Sequence, residues 1–175
     1  SLNTDGAGIS ISPNGLRVLK KLQIKDPLIQ SSALPNKILF HQKNINIAKI
    51  ASPNDFVTSS RHNLLQILQQ KYLDLGGEVL YDHKYKSINQ DEVKITFANN
   101  LEYEVSHILA CDGINSSVRE EFFPMNGPAI YSGYQAWRGI GKAKQTDAKF
   151  YFSKGKHIVS YPINNKGDVS FTAVV

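Results

Sequence analysis

One stretch of ten residues, from Ala110 to Arg119, combines side chains that suit nucleotide binding. The apolar run at its start predicts a buried strand, which would deliver the Asp112 carboxylate to the carboxyl edge of a sheet, where open α/β folds bind ligands. Gly113 permits a tight turn and lets a ligand approach the backbone. One of the two serines that follow can cap a helix, and Arg119 adds a fixed cation with two donors for phosphate. The stretch therefore predicts a site for a ribose and a pyrophosphate.

An isolated Asp-Gly pair would indicate only a turn, but the full string between an apolar strand and a helix favours ligand binding. Asp-Gly-x-x-Ser-x-Val-Arg resembles the second dinucleotide motif of the para-hydroxybenzoate hydroxylase-like flavoproteins, which in that family contacts FAD and NAD(P)H. Three more stretches resemble the family in the same order: Gly6–Gly15, which follows its first βαβ unit, Ser60–Leu65, its Ser-Arg-x-x-Leu helix start, and Gly133–Gly139 with Tyr161–Ile163, the first strands of its substrate-binding sheet. The Gly133–Gly139 strand is most similar to the salicylate hydroxylase-like branch.

The resemblance implies a fragment of an FAD-dependent, NAD(P)H-consuming monooxygenase. Such enzymes use dioxygen to hydroxylate an aromatic or similar small molecule through a flavin C4a-hydroperoxide, and the cofactor carries that chemistry. The family's cofactor contacts fall on Ser10, Arg61, Tyr85 (through its backbone), Asp112, Gly113 and Arg119. From the residues alone, Ser10 and Tyr85 are equally compatible with ordinary loop and strand positions. A cation at a helix start, as at Arg61, is opposed by the helix dipole and indicates a nearby anion.

Three residues near the C-terminal end are candidates for the substrate side. His157 and Tyr161 are candidate bases for a phenolic substrate, because the phenolate is the better nucleophile, and Arg138 is a candidate for steering a substrate carboxylate. The alternative for all three is an ordinary strand position. Ala136-Trp137 stands where the urate-oxidising branch has Asn-Trp, which argues against urate as the substrate.

These residues need a mixed α/β fold to position them. Helical periodicity predicts one helix from Pro13 to residue 22 or 24, capped by Ser12 and ended by Asp26-Pro27, and a second over 62–75, ended by Gly76-Gly77. Strands are predicted over 78–88, 92–98, 101–105, 107–111, 131–140, 148–152, 157–163 and 169–175, with a hairpin at about 37–50 and a short helix over 117–122. We therefore expect part of a Rossmann-like FAD/NAD(P)-binding domain over 1–127 and part of an antiparallel substrate-binding sheet over 128–175. The hairpin belongs to the substrate side.

Composition narrows the class of partner. The formal net charge is +5 and the pI about 9.2, but the basic residues are scattered and form no aromatic-studded stripe for nucleic acid. No apolar run approaches the roughly 18 residues of a membrane span. The single cysteine, Cys111, excludes an internal disulfide and a Cys-rich zinc site, so we expect no metal and a reducing, cytoplasmic setting.

Two parts of the family pattern are missing. No Gly-x-Gly-x-x-Gly occurs, because Gly6-Ala7-Gly8 lacks a third glycine at the required spacing, and the family's closing Gly-Asp motif, which binds the ribityl chain and pyrophosphate of FAD, is absent. We therefore expect a chain that starts and stops inside the fold, binds FAD weakly or not at all, and covers its sheet edges by compaction or self-association. The competing hypotheses are a non-catalytic remnant without cofactor, and an epoxidase, reductase or halogenase of the same superfamily. A nucleotide-binding module without redox chemistry ranks below these.

Overall fold

The computed structural model describes residues 7–43, 45–53 and 55–175, and it has the mixed α/β class predicted from the sequence. Along the chain the elements are β1 (Gly8–Ile11), α1 (Pro13–Lys21), α2 (Lys25–Gln30), β2 (Lys37–Gln42), β3 (Ile45–Ala51), β4 (Val57–Ser60), α3 (Arg61–Asp74), β5 (Tyr85–Asn89), β6 (Lys94–Phe97), β7 (Glu102–Glu104), α4 (Ser117–Phe122), a 3-10 turn (Pro124–Asn126), β8 (Ala136–Lys142), β9 (Ala148–Ser153), β10 (Lys156–Pro162) and β11 (Asp168–Val174). They form two compact units. The first comprises residues up to Glu78 together with Tyr134–Val175, and the second is Val79–Gly133.

A six-stranded sheet with the order β3-β2-β9-β10-β11-β8 is the larger layer of the first unit. Neighbouring strands are antiparallel except β2 and β9, which are parallel. The turns at 154–155 and 164–167 fall where the sequence predicts them, because glycine and asparagine favour the turn conformations there. β2 and β3 form a hairpin with a bulge between Phe40 and His41. One sheet thus combines an early hairpin with the four last strands.

An antiparallel two-stranded ribbon, β1 and β4, packs against this sheet. The Gly8 N–H donates to Ser170 Oγ at 2.8 Å, and Thr58 Oγ1 donates to the Pro162 carbonyl at 2.6 Å. Thr58 and Ser170 are fully buried, and a buried hydroxyl without a hydrogen bond would carry a desolvation cost. These bonds therefore fix the ribbon on the sheet.

The helices of the first unit pack against the ribbon through a small apolar core. Its buried members are Ile11, Leu16, Leu28 and Val57, with Leu19, Ile29, Leu64 and Ile67 packed around them. They come from β1, β4 and all three helices of this unit. Burial of these side chains is what holds three short helices on a two-stranded ribbon, since helices of this length are marginal alone.

The helix ends show which local signals were reliable. α1 begins at Pro13 as predicted, but the Ser12 hydroxyl bonds with the Asn14 side chain and caps no backbone amide, so that cap prediction is wrong. The helix α2 was not predicted, because Asp26-Pro27 in the sequence indicates only the end of a helix. Pro27 lies in the first turn of α2, where a missing N–H costs nothing.

Both ends of the second long helix, α3, lie within one residue of the predicted 62–75. Ser60 Oγ accepts from the Asn63 N–H at 3.1 Å, which caps the helix. After the last turn Gly76 adopts a φ of 83°, the left-handed conformation that favours glycine. The helix therefore has a defined start beside β4, where Arg61 is its first residue.

The second unit contains the antiparallel sheet β5-β6-β7 and α4, which spans the predicted residues 117–122. The predicted buried strand over 107–111 is wrong: this segment forms no strand, and Leu109 is 90% exposed. A strand needs a neighbour to satisfy its backbone groups, and none of the described strands pairs with this segment. Strand pairing also begins only at Tyr85 and at Ala136, later than predicted at 78 and 131.

Three further observations concern the kind of protein. Among the described helices none is long and apolar enough to cross a membrane. Residues 7–43, 45–53 and 55–175 contain no group of three His, Cys, Asp or Glu side chains that could hold a metal ion. Cys111 is exposed and free.

Leu28→Ala should lower the free energy of unfolding by about 2–5 kcal/mol, because Leu28 is fully buried and its truncation leaves a cavity. Denaturant titration followed by circular dichroism measures the loss. Leu75→Ala is the matched control, since Leu75 is 72% exposed at the end of α3 and its truncation should cost about 0.5 kcal/mol or less. Equal losses in the two variants would contradict the core described above.

Candidate functional site

A cavity of about 420 Å³ lies in the first unit between β1 and one face of the six-stranded sheet. β1 contributes Ser10, and Phe56 comes from the segment before β4. The sheet contributes Ile38, Phe40, Ala148, Phe150, Val159, Tyr161 and Thr172. The volume falls within the range of about 300–1,000 Å³ that is usual for small-molecule sites, and a mostly apolar lining with a few hydroxyls is typical of them.

Strand register explains the aromatic wall of this cavity. Phe40 and Phe150 are direct partners across the parallel β2–β9 pair, and their rings stack with centroids 5.2 Å apart. Val159 lies opposite Phe150, and Thr172 lies opposite Val159, so all four side chains share one face of the sheet. Such a wall suits a flat aromatic molecule, because aromatic rings favour offset stacking.

Tyr161 adds a polar group to the cavity. It is half-buried, and burial raises the pKa of its phenol, while a hydrogen bond from Ser170 and the positive charge of Arg138 act in the opposite direction. The phenol is therefore protonated at neutral pH. This arrangement suits a hydrogen-bond donor to a substrate oxygen better than it suits a general base.

His157 and Arg138, the other substrate-side candidates, lie in different surroundings. His157 is on the same strand as Tyr161 but four residues earlier, about 13 Å along it. Its ring is 6.4 Å from that of Phe152, and it lines a separate pocket of about 190 Å³. Arg138 lies on the edge strand β8, opposite Thr172. The positive charge of Arg138 thus reaches Tyr161. His157 lines a different pocket from the one that Tyr161 lines.

Ser10 and Arg61, the predicted flavin contacts of the first unit, lie on or beside the β1–β4 ribbon. Ser10 pairs with Thr58, and the Arg61 N–H donates to the Ala7 carbonyl at 3.1 Å. Both side chains are exposed, and neither makes a hydrogen bond or ion pair to another described residue. Arg61 is also the first residue of α3, where the helix dipole disfavours a cation. An anion beside Arg61 would therefore be favourable.

In the second unit, the Asp112 string forms a compact turn before α4. Asp112 Oδ2 accepts from the Val118 N–H at 3.4 Å, and a hydrogen bond from the Ser116 hydroxyl lowers the pKa of the Asp112 carboxyl. Ser116 Oγ also accepts from the Arg119 N–H at 3.0 Å, which makes Ser116 the helix cap. Gly113 has a φ of 87°, so the turn requires glycine there.

The two remaining residues predicted in this unit are engaged in internal contacts. Arg119 Nη2 donates to the Ile114 carbonyl at 2.5 Å. The Tyr85 hydroxyl donates to Glu121 Oε2 at 2.6 Å, and burial together with this bond raises the pKa of the phenol. Tyr85 therefore ties β5 to α4 through its side chain. The predicted cofactor contact uses its backbone.

The known proteins that are similar to this chain include several monooxygenases. No family model matches the chain. It is 25% identical over 183 residues to the 6-hydroxynicotinate 3-monooxygenase of Pseudomonas fluorescens, with 93% of the chain and 47% of the relative covered. It is 30% identical over 156 residues to the FAD-dependent monooxygenase paxM of Penicillium paxilli, with 82% and 30% covered.

Solved structures agree at the level of the fold. Klebsiella pneumoniae HpxO, complexed with FAD and uric acid, matches with a TM-score of 0.83 at 18% identity, over 100% of this chain and 48% of HpxO. The tetrameric form of 2-methyl-3-hydroxypyridine-5-carboxylic acid oxygenase matches with a TM-score of 0.76 at 20% identity, over 100% and 50%. The chain shares the fold of the FAD-dependent aromatic monooxygenases. It spans about half the length, 47%, of the first curated monooxygenases it matches.

The residues of this monooxygenase fold match the needs of FAD in part. A flavin nucleotide requires donors for its phosphates and acceptors for its ribose hydroxyls. In the first unit, Ser10 and Arg61 offer a hydroxyl and a cation that no other described residue uses. In the second, Asp112 offers an exposed carboxylate held ionised by its neighbours. Arg119 fits less well, because its guanidinium already bonds the Ile114 carbonyl.

Sequence reasoning missed the aromatic wall and Ser170. The alternation of side chains along β9 and β10 could have shown which residues share a face with Phe150 within β9 and with Val159 within β10. It could not have shown that β2 pairs with β9, which brings Phe40 onto the same aromatic wall. Ser170 gave no signal, because its role depends on contact with Gly8 from a distant part of the chain.

Ser116→Ala should raise the pKa of Asp112, because the Ser116 hydrogen bond is the largest cause of its lowering. A lowered pKa means that the ionised carboxylate stabilises the fold at neutral pH, and that this stability is lost as the pH falls below the ordinary aspartate value of 3.8. NMR titration of the Asp112 carboxyl carbon measures the shift. Ser117→Ala is the control, since Ser117 contributes only its backbone N–H. An unchanged Asp112 pKa in Ser116→Ala would contradict the assigned bond.

Proposed function

We propose that this chain supplies the substrate-binding sheet and part of the flavin-binding region of an FAD-dependent monooxygenase that hydroxylates a small aromatic molecule. NAD(P)H would be the reductant and dioxygen the second substrate. The observation that carries the proposal is the cavity of about 420 Å³ in which Ser10 faces the aromatic wall of the sheet. A predicted flavin contact and a predicted substrate surface thus line the same space.

The relatives support an aromatic substrate that carries ionisable oxygens. They include a 6-hydroxynicotinate 3-monooxygenase and a 3-amino-4-hydroxybenzoate 2-monooxygenase. The Phe40 and Phe150 rings would hold the flat ring, and the apolar lining would exclude water from it. Arg138, whose positive charge reaches Tyr161, would favour an anionic group on the substrate. The substrate class proposed is therefore an aromatic hydroxy acid or a hydroxylated heteroaromatic acid.

Tyr161 and His157 have different parts in this proposal. The protonated Tyr161 phenol would donate a hydrogen bond to a substrate oxygen and so orient the ring. His157 would act as a base only for a substrate group that reaches about 13 Å further along β10. Tyr161 is therefore the stronger candidate for direct contact with the substrate.

Bound FAD would supply the activation of dioxygen, which no side chain can provide. Ser10, Arg61, Asp112, Gly113 and Arg119, together with the Tyr85 backbone, are the residues proposed to hold it. We also propose a flavin-binding part over 1–127 and a substrate-binding part over 128–175, with the hairpin near 37–50 on the substrate side. The pairing of β2 with β9 supports the last point. From the single cysteine of the sequence we further propose a reducing, cytoplasmic setting.

Oxygen transfer tests the proposed reaction. The natural gene product that contains this sequence should oxidise NADH or NADPH in the presence of an aromatic hydroxy acid such as 6-hydroxynicotinate. Mass spectrometry should find one atom of isotopically labelled dioxygen in the product. Tyr161→Phe should lower kcat/KM about tenfold, the effect of one hydrogen bond of about 1.4 kcal/mol.

Tyr151→Phe is the matched control for this experiment. Tyr151 is on the neighbouring strand β9, but it stacks on His41 at 4.8 Å and does not line the cavity. It should keep full activity. Product without labelled oxygen would refute a monooxygenase, and equal losses in the two variants would refute the role of Tyr161.

Affinity for FAD tests the cofactor side on the 175-residue chain itself. We expect weak binding, without stoichiometric yellow flavin after purification, because the sequence has no Gly-x-Gly-x-x-Gly loop. Quenching of flavin fluorescence on titration measures the affinity. Arg61→Ala should weaken it about tenfold or more, as expected for a charged hydrogen bond of about 1.5 kcal/mol or more.

Lys154→Ala controls for net charge, because Lys154 is exposed in the turn between β9 and β10. It should leave FAD affinity unchanged. Tight, stoichiometric flavin in the purified chain would contradict the expectation of weak binding. Equal effects of Arg61→Ala and Lys154→Ala would mean that Arg61 acts only through the overall charge.

A further inference from the structure

Ser170 is a fully buried polar residue on β11 that touches two parts of the proposed site. Its hydroxyl oxygen accepts from the Gly8 N–H at 2.8 Å, and Gly8 begins β1, the strand that carries Ser10. Ser170 also lies directly opposite Tyr161 in the β10–β11 pair. The Ser170 hydroxyl is therefore placed between β1, which carries the predicted flavin contact Ser10, and Tyr161, whose side chain lines the cavity.

The Gly8 backbone lies against this pair with no room between them. A Cβ atom on Gly8 would come within 2.6 Å of Ser170 Cβ, 2.7 Å of Tyr161 Cε2 and 2.8 Å of Ile163 Cγ2. These distances are shorter than any normal van der Waals contact. The separation between β1 and the sheet at this point is therefore set by the backbone of Gly8 and the side chains of Ser170 and Tyr161.

The chemistry of a serine hydroxyl allows both contacts at once. It has one proton to donate and two lone pairs to accept with. Ser170 accepts from Gly8, which leaves its own proton for the phenol of Tyr161 on the paired strand, and such a bond lowers the pKa of the phenol against the larger raising effect of burial. When the Ser170 hydroxyl donates a hydrogen bond to Tyr161 Oη, the Tyr161 hydroxyl can donate its own hydrogen bond to an acceptor in the cavity.

We propose that Ser170 is a positioning residue, which holds β1 at a fixed separation from the sheet and orients the Tyr161 hydroxyl into the cavity. The proposal rests on the proposed function, because it assigns Ser170 a part in arranging that same site. A residue with only a structural role would stabilise the sheet without affecting Tyr161 or the β1 backbone specifically.

Two measurements on the intact 175-residue chain separate these roles. In Ser170→Ala, the Gly8 amide should exchange with solvent about tenfold faster, the effect of losing one hydrogen bond, as read by NMR hydrogen exchange. NMR titration of the tyrosine Cζ carbons, with Tyr161 assigned by its absence in Tyr161→Phe, should show that the Tyr161 pKa rises further in Ser170→Ala. Ser170→Thr keeps a hydroxyl and should restore both values towards those of the wild type.

Ser160→Ala is the matched control. Ser160 is the residue next to Tyr161 on β10, and its hydroxyl bonds with the Gln145 amide instead of with the site. It should leave both the Gly8 exchange rate and the Tyr161 titration unchanged, even where it lowers stability. If Ser170→Ala changes neither value, or if Ser160→Ala changes both equally, Ser170 has no positioning role.

A salicylate titration, followed by the NMR shifts of the Phe40 and Phe150 rings, distinguishes this proposal from the proposed function. Salicylate that binds the wild type and binds Ser170→Ala at least several-fold more weakly supports both. Salicylate that fails to bind the wild type counts against the substrate site, while the exchange and titration results still decide the role of Ser170. Equal binding to both proteins shows that Ser170 does not shape the cavity, and overturns the proposal.

Discussion

The close approach of β1 to the six-stranded sheet is the constraint on which the first unit depends. Gly8 lies against Ser170 and Tyr161 with no side chain of its own between them, and its N–H is satisfied by the Ser170 hydroxyl. A second bond, from Thr58 to the Pro162 carbonyl, holds the other strand of the ribbon. Because these contacts involve backbone atoms and short side chains, the ribbon has little freedom to shift. The helices then pack on a ribbon whose position is already fixed.

The residues proposed to hold a nucleotide are arranged differently in the two units. In the first, buried contacts position exposed groups, so Ser10 and Arg61 stay available while their backbones are held. In the second, the groups themselves form the turn: Asp112 bonds with Ser116 and the start of α4, and Arg119 bonds the turn it follows. A ligand at the second unit would therefore have to replace some existing hydrogen bonds, whereas one at the first would meet free donors.

The features predictable from the sequence are those with a local cause. Pro13 starts a helix, Gly76 ends one in the left-handed conformation, and the Asp112 string forms a capped turn, because each depends on residues a few positions away. The error at 107–111 has the opposite cause. Apolar composition indicates a preference for burial, but whether a segment is buried as a strand depends on which strands stand beside it. The aromatic wall of the cavity escaped prediction for the same reason, since it requires β2 to pair with a distant strand.

That parallel pairing has a consequence for how the protein is made. Ile38 pairs with Ala148, and the residues between them must all be synthesised before the sheet can close. At about 5–20 residues per second, the early hairpin waits several seconds with its partner edge open. Its outer strand carries three isoleucines that stay exposed even in the finished fold. Closing so large a loop also slows folding, since ordering entropy is lost before the contacts form. The nascent chain is therefore most prone to aggregate in the interval before β9 leaves the ribosome.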